Sequence, residues 1–475
     1  MSPFSFNPNV GIHKVFLVSY SQLAGRFDPQ FHLELPDLTD FIKLSSIANV
    51  NGGKRIPLGY DYSQDETEYL YLRVTDFNDE GEIDFQKLRH IDSDVFAFLE
   101  RYEIRNNQIA ISIAGTIGRV TLIKNIPLNK RVILTENCAK ITLKTDSVLE
   151  AYFNLLLNLP IVQKQIELNY IQTTIPKLGL DRIKNLFFPK IPTIEKQEKI
   201  VQAYSNVSAS AKQKEQQSQE LLAGIDGYLL SELGITVPNK NKTIEKRIFK
   251  VSFNQISGWR FDAPVHQSEF SLKSAKFSMI RLTRAFEFNP KTVINVESCS
   301  FVPMEKISDQ TGSITSTEET IHLSNSSGYT PFCEDDLIWA RITPCMQNGK
   351  SAVARNLVNG FGLGSTEYFV FRATEGNNID YLHALLRLNY LREEAMLFFG
   401  GATGHQRVSP DFFRRLYIPF PPIGKQNEIA QHIADIKTQA QQLQTEAAQI
   451  LADAKAEVER MILGDSGGEP CPPAG

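Results

Sequence analysis

Cysteine is scarce and scattered. Cys138, Cys299, Cys333, Cys345 and Cys471 form no CxxC pair and have no histidine at zinc-finger spacing, which argues against a disulfide framework and a structural zinc site. They are expected as small core residues or free thiols. Long apolar runs are missing too: stretches such as Leu155–Leu157 are cut by Asn and Pro well short of membrane-spanning length. The opening of the chain lacks the basic start, apolar core and small-residue cleavage site of an export signal. A cytoplasmic protein without membrane contact is expected. Basic charge is not in excess, since 50 Lys and Arg against 54 Asp and Glu leave a net charge of -4. That balance counts against nucleic-acid binding, which sets Lys and Arg against phosphate. Such a role then needs basic residues gathered on one face, or phosphate contacts supplied by partner subunits.

Catalytic constellations are absent as well. Gln347-Asn-Gly-Lys-Ser351 imitates the end of a phosphate-binding loop, but Pro344 stands where its first glycine belongs. No Gly-x-Ser-x-Gly, His-Glu-x-x-His or dinucleotide fingerprint occurs. The eight histidines are isolated, and His383, in an apolar helical stretch, reads as a core or surface residue rather than a ligand. The Asn-Pro-Pro-Tyr/Phe tetrapeptide that amino-methyltransferases use on a flipped adenine is also missing, Asn289-Pro290-Lys291 being the nearest approach. A catalytic chain is not expected.

What the chain does contain is itself, twice. Its 475 residues, 42% hydrophobic and 22% charged, suit two or three globular domains. Val18-Ser-Tyr-Ser-Gln-Leu-Ala-Gly-Arg-Phe-Asp-Pro29 returns with small insertions as Val251-Ser-Phe-Asn-Gln-Ile-Ser-Gly-Trp-Arg-Phe-Asp-Ala-Pro264. Thr135 to Ile141 matches Ser365 to Phe371, and Asp181 to Pro189 matches Asp411 to Pro419, both at an offset of 230. Pro192-Thr-Ile-Glu-Lys-Gln197 matches Pro421-Pro-Ile-Gly-Lys-Gln426 at 229 and opens a helix in each half. Each half carries β-type runs, among them Glu68 to Phe77, Gln108 to Ile113, Asp336 to Ile342 and Glu367 to Phe371. Apolar-periodic helices near 148–169 and 378–399 close the two mixed regions.

Each half then ends in one long helix. In the second, Ile429, Ile433, Ile436, Ala440, Leu443, Ala447, Ile450 and Ala454 alternate steps of four and three, as a coiled-coil seam requires. The first keeps the same register through Ile200, Tyr204, Val207, Ala211, Lys214, Ser218, Leu221, Ile225 and Tyr228. About 33 helical residues span roughly 50 Å, too long for one such domain to cover. The helices are expected to pair with each other, antiparallel, rather than lie separately on their own domains. Pro238-Asn-Lys-Asn-Lys marks a polar linker, and the tail after Leu463 is expected to be disordered.

This combination resembles the specificity subunit of type I restriction-modification enzymes over nearly the full chain, from about residue 15 to 463. Ile418-Pro-Phe-Pro-Pro-Ile-Gly-Lys-Gln-Asn-Glu-Ile429 is similar to the phrase that opens the family's conserved-type helix, and Phe188 to Gln197 is the same phrase one residue longer. Ser112-Ile-Ala-Gly-Thr-Ile-Gly-Arg-Val120 is similar to one class of the family's recognition domains. Ala340 to Lys350, Gly364 to Tyr368 and Gly404 to Val408 are similar to another.

The resemblance implies an α+β chain of two tandem β-rich target-recognition domains and two long helices, pseudo-two-fold symmetric. The boundaries read from the sequence are a first target-recognition domain 1–190, central spacer helix 191–235, linker 236–250, second target-recognition domain 251–418, C-terminal spacer helix 419–463 and tail 464–475. It further implies a non-catalytic subunit, each domain reading one half of an asymmetric, interrupted double-stranded DNA target, with half-sites about 34–36 Å apart. The helices would act as a spacer and dock two methyltransferase subunits, with restriction subunits in the full complex. No cofactor is expected on this chain; S-adenosylmethionine, ATP and Mg belong to the partners.

Candidate DNA contacts sit in Gly- or Pro-marked loops, where Arg and Lys can hold phosphate or guanine and Thr can bond either. In the first domain they are Lys54, Arg55, Arg119, Thr173, Thr174 and Lys177. In the second they are Arg341, Thr343, Gln347, Asn348, Lys350, Thr403, His405, Gln406 and Arg407. Two alternatives stay open: a specificity subunit of another bipartite-site restriction or methylation system, and a protein-binding scaffold that never touches DNA.

Overall fold

The computed structural model describes residues 38, 41–77, 83–169, 177–237, 250, 272–325, 327–401 and 406–464. The repeated opening phrases at 18–29 and 251–264, most of the linker 236–250, nearly all of the tail 464–475, and Thr173, Thr174, Thr403 and His405 lie outside the described residues. The chain divides into two compact units, one running to Ala211 and resuming at Ala448, the other Lys212–Ala447.

In the first unit, one antiparallel sheet takes its strands in the order Ala48–Gly52, Cys138–Leu143, Ile109–Ser112 and Val120–Leu122. A second runs Arg89–His90, Tyr69–Leu72, Arg131–Leu134 and Glu103–Ile104, with a parallel pair at its centre. The central strands are buried on both faces, which is why Ile109–Ser112 and Tyr69–Leu72 read as apolar runs instead of alternating. A short pair, Ile42–Lys43 with Phe187–Phe188, brings the end of the domain back beside its start.

The second unit is built the same way on different residues. One sheet runs Phe286–Phe288, Tyr368–Ala373, Leu337–Ala340 and Ser351–Val353. The other runs Thr320–His322, Ser298–Val302, Phe361–Gly364 and Thr330–Cys333, again with a parallel central pair. Met279–Arg281 pairs with Tyr417–Pro419 as the counterpart of the short pair. The strands Cys138–Leu143 and Tyr368–Ala373 stand 230 residues apart, the offset of the matched phrases. One hairpin, Phe399–Gly400 with Arg407–Val408, has no counterpart among the described residues of the first unit. An aromatic cluster fills the second core: Phe413 stands edge-on to Trp339 at 5.0 Å and to Phe371 at 4.9 Å.

The closing helices differ from the sequence expectation of one helix each. Glu150–Leu157 and Pro160–Asn169 are separate, because the chain leaves the helix at Asn158 and Leu159 and Pro160 is suited to start a helix, not continue one. Ile379–Arg387 and Asn389–Met396 are split at Leu388, whose ψ of 129° is extended.

The long helices are Ile194–Leu233 and Ile423–Leu463. Each unit contains one stretch of each, and the pairing inside it is antiparallel. In the second unit Lys214 Nζ meets Glu446 Oε2 at 2.6 Å, the Tyr228 and His432 rings lie 4.3 Å apart, and Lys425 Nζ meets Glu232 Oε2 at 2.7 Å. In the first, Val458 joins the core that holds Ile200, with Tyr204, Met461 and Ile462 packed on it. Small seam residues Ala211, Ser218, Ala440, Ala447 and Ala454 are buried, allowing close approach of the backbones. Val207, expected on the seam, is instead 37% exposed.

A matched glutamine fixes the start of each helix. Gln197 accepts from Leu149 N at 2.8 Å and donates to the carbonyls of Ser147 and Pro192. Gln426, 229 positions later, accepts from Asn378 N at 3.0 Å and donates to the Pro421 carbonyl. Both side chains are buried. Each thus ties the long helix to the closing helices of its own unit.

Candidate nucleic-acid interface

In the second unit the strand Leu337–Ala340 runs out into the loop that holds five of the candidates. The loop turns back at Gly349, which has φ +79° and leaves no room for a Cβ beside the Arg392 guanidinium. Arg387 Nη1 donates to the Gly349 carbonyl at 2.6 Å and Arg392 Nη1 to the Gln347 carbonyl at 2.7 Å, so the closing helices hold the loop's backbone from behind. Gln347 and Asn348 stand exposed at its tip. The Lys350 ammonium is turned inward, donating to the Met304 carbonyl at 2.9 Å.

The other candidate segment joins this loop. A β-bridge pairs Ile342 with Arg407, Thr343 N donates to Gln406 O at 2.9 Å, and Val408 N donates to Arg341 O at 2.9 Å. Arg341, Thr343, Gln406 and Arg407 therefore lie together although 63 or more residues separate the two segments. At their centre is Glu367, which the sequence reading did not single out. Arg407 Nε and Nη2 donate to both of its oxygens at 2.7 to 3.0 Å, and Arg341 Nε donates to Oε2 at 3.1 Å. The Arg407 guanidinium, helped by that of Arg341, holds the Glu367 carboxyl below its ordinary value against the opposing effect of burial. Arg341 also lies over the Phe369 ring at 5.4 Å.

The first unit repeats the bridge. Ala114 pairs with Lys177, and Leu178 N donates to Ile113 O at 2.9 Å, which brings the loop after Ile109–Ser112 beside Lys177 and Leu178. Arg119 at the end of that loop is half-buried and donates from Nη1 to the Phe77 carbonyl at 3.3 Å. Lys54 and Arg55 follow Gly53, where an added Cβ would lie 2.0 Å from the Thr135 carbonyl oxygen, so only glycine lets the two segments approach. Arg55 Nε and Nη2 both donate to Glu136 Oε1, at 2.9 and 2.7 Å. Here too a glutamate in a Thr-Glu dipeptide holds a candidate arginine. The two glutamates lie in the matched phrases but one step out of register, Glu136 opposite Thr366 and Glu367 opposite Asn137, so the match did not point to them.

Beside Arg55 an open cleft of about 480 Å³ is lined by Tyr60, Tyr62, Tyr71, Arg73, Thr135 and Asn137. Tyr60, Tyr62 and Arg73 were not singled out in the sequence, since nothing local distinguishes them from other surface residues. Elsewhere, His383 is buried against Ser351, and burial, then the charges of Lys437 and Arg387, holds its imidazole well below the ordinary value. It is a neutral core residue.

Residues 36–223 and 287–452 match the family model described as the type I restriction modification DNA specificity domain. The chain is 33% identical to the type I restriction enzyme EcoAI specificity subunit of Escherichia coli over 188 residues, 38% of this chain and 31% of that one. It is 28% identical to the EcoBI specificity subunit of Escherichia coli over 162 residues, 34% and 33% of the two chains. The matched stretches thus span about a third of these relatives' length. The type I restriction-modification S subunit from M. genitalium aligns at 11% identity and a TM-score of 0.39, covering 89% of this chain and 95% of that one. The HsdS subunit from Thermoanaerobacter tengcongensis aligns at 13% identity and 0.34, covering 90% and 96%. Because the family domain matches twice and takes in more than half of the sequence, the chain belongs to the type I restriction-modification DNA specificity family.

Proposed function

We propose that this chain is the non-catalytic DNA sequence-specificity subunit of a type I restriction-modification complex, each unit reading one half of an asymmetric bipartite target. The observation that carries the reading is the doubled bridge. In two units of the same sheet order and different sequence, the loop after the central strand is joined to the segment before the last strand, at Ala114 with Lys177 and at Ile342 with Arg407. Two readers of one build and different side chains fit two unlike half-sites.

In this reading Lys54, Arg55, Arg119, Thr173, Thr174 and Lys177 serve one half-site. Arg341, Thr343, Gln347, Asn348, Thr403, His405, Gln406 and Arg407 serve the other, with Lys350 bracing its loop. The long helices dock two methyltransferase subunits, restriction subunits complete the assembly, and S-adenosylmethionine, ATP and Mg are bound by the partners. The test is methylation-sensitive sequencing of host DNA with and without the gene. An interrupted, asymmetric methylated motif that vanishes with the gene is expected; its persistence, or no motif, would favour a scaffold that does not touch DNA.

A further inference from the structure

Three candidate arginines are held by carboxylates, and the geometry separates their roles. Arg55 spends Nε and Nη2 on Glu136, and Arg407 spends Nε and Nη2 on Glu367. Arg341 differs: only Nε is bound to Glu367, its face lies on Phe369, and its two terminal nitrogens have no partner among the described residues. Its backbone is pinned as well, the N–H donating to Glu367 O at 2.9 Å and the carbonyl accepting from Val408 N.

An arginine bound through Nε keeps its end-on pair of donors, one N–H from each terminal NH2 group, which match the O6 and N7 acceptors of guanine in the major groove. Fixing the side chain beforehand removes most of the rotamer entropy that a flexible reader would lose on binding. Arg407, with both oxygens of the carboxylate engaged, keeps Glu367 charged and in place.

Resting on the specificity-subunit reading, we propose that Arg341 reads one guanine in the half-site specified by the second unit. Glu367 is the residue that positions it, and Arg407 secures Glu367.

The test uses the full chain in complex with the methyltransferase subunits of its own system, on duplexes carrying the mapped target. Each guanine of the half-site that residues 251–418 specify is replaced in turn by 7-deazaguanine, which lacks the N7 acceptor. One position is expected to lose affinity by roughly 5-fold or more, below the roughly 150-fold ceiling of a whole bidentate contact because O6 is left in place. Arg341→Ala should abolish the sensitivity at that base alone and relax the methylated motif there, with the other half-site unchanged. Glu367→Gln should weaken the same discrimination and no other. If Arg341→Ala yields no active complex, Arg341→Met decides, since it keeps the length and the packing on Phe369 without any donor and should bind with that one base relaxed. The proposal is overturned by a half-site without guanine, by guanines all insensitive to the replacement, or by variants that keep the full motif. It is also overturned if Arg341→Ala weakens all sequences equally and lowers the salt slope by about one, the mark of a phosphate contact. Failure of the wild-type complex to methylate any specific sequence would instead bring down the underlying reading.

Discussion

Single residues in this protein divide into those whose role is local and those whose role is made by the sheets. Arg341 and Arg407 were legible as candidates because their type and their Gly- or Pro-marked loops are visible in sequence. Glu367 was not, because its importance depends on a strand neighbour 26 positions earlier and a hairpin 40 later. Buried ion pairs were invisible for the same reason. Asp336, fully buried, accepts twice from Arg372 at 2.7 Å and once from Cys333 N. Arg372→Leu should therefore destabilise the second unit by about 3 kcal/mol, since it strands a buried carboxylate, and urea unfolding of the variant would measure it.

In the first unit Glu103 accepts from Arg131 Nε at 2.8 Å and from Arg105 Nη2 at 3.0 Å. The Arg131 guanidinium, above all, holds the Glu103 carboxyl below its ordinary 4.5. With the folded value depressed, the stabilisation is full above the unfolded value and is lost as pH falls through the folded one. Glu103→Gln should thus cost stability at neutral pH and progressively less once pH drops below about 4.5. Equal costs of the substitution at pH 7 and pH 3 in urea unfolding would contradict this.

At the scale of elements, periodicity placed the long helices and the strand runs, and phrase matching placed the duplication. Breaks within helices were missed, since Leu388 carries no sequence mark of its extended backbone and Pro160 was not read as a helix start. The glutamines at the helix starts were visible as matched letters but not as devices. Gln197→Met and Gln426→Met should each cost about 2 kcal/mol, because a backbone N–H and at least one carbonyl lose their partner in a buried place. Thermal unfolding should show similar losses for the two, one in each unit. The expectation that the helices act as a spacer makes its own prediction. Seven residues inserted at matching places in both, which preserves the heptad phase, should change the number of unread bases and leave both half-sites as they were. Mapped methylation sites with unchanged spacing in an active variant would end the spacer model.

For the whole molecule, the duplication predicts separable readers. Replacing residues 251–418 by another recognition domain of the family should change one half of the methylated motif only. Incubating the isolated chain with labelled S-adenosylmethionine and DNA should give no methyl transfer above background.

Val458, Met461 and Ile462 have a consequence of a different kind. They sit near the end of the chain yet belong to the core of the first unit, against Ile200 and Tyr204. On the ribosome, Ile200 emerges roughly 250 residues before its cover is made, an interval on the order of 12 to 50 seconds at bacterial elongation rates. The first unit's core therefore closes only after the second unit has been made, and a chain stopped before Val458 leaves the apolar surface around Ile200 and Tyr204 uncovered. The final turns of the last helix are thus the closing piece of a core that the first half of the sequence leaves open.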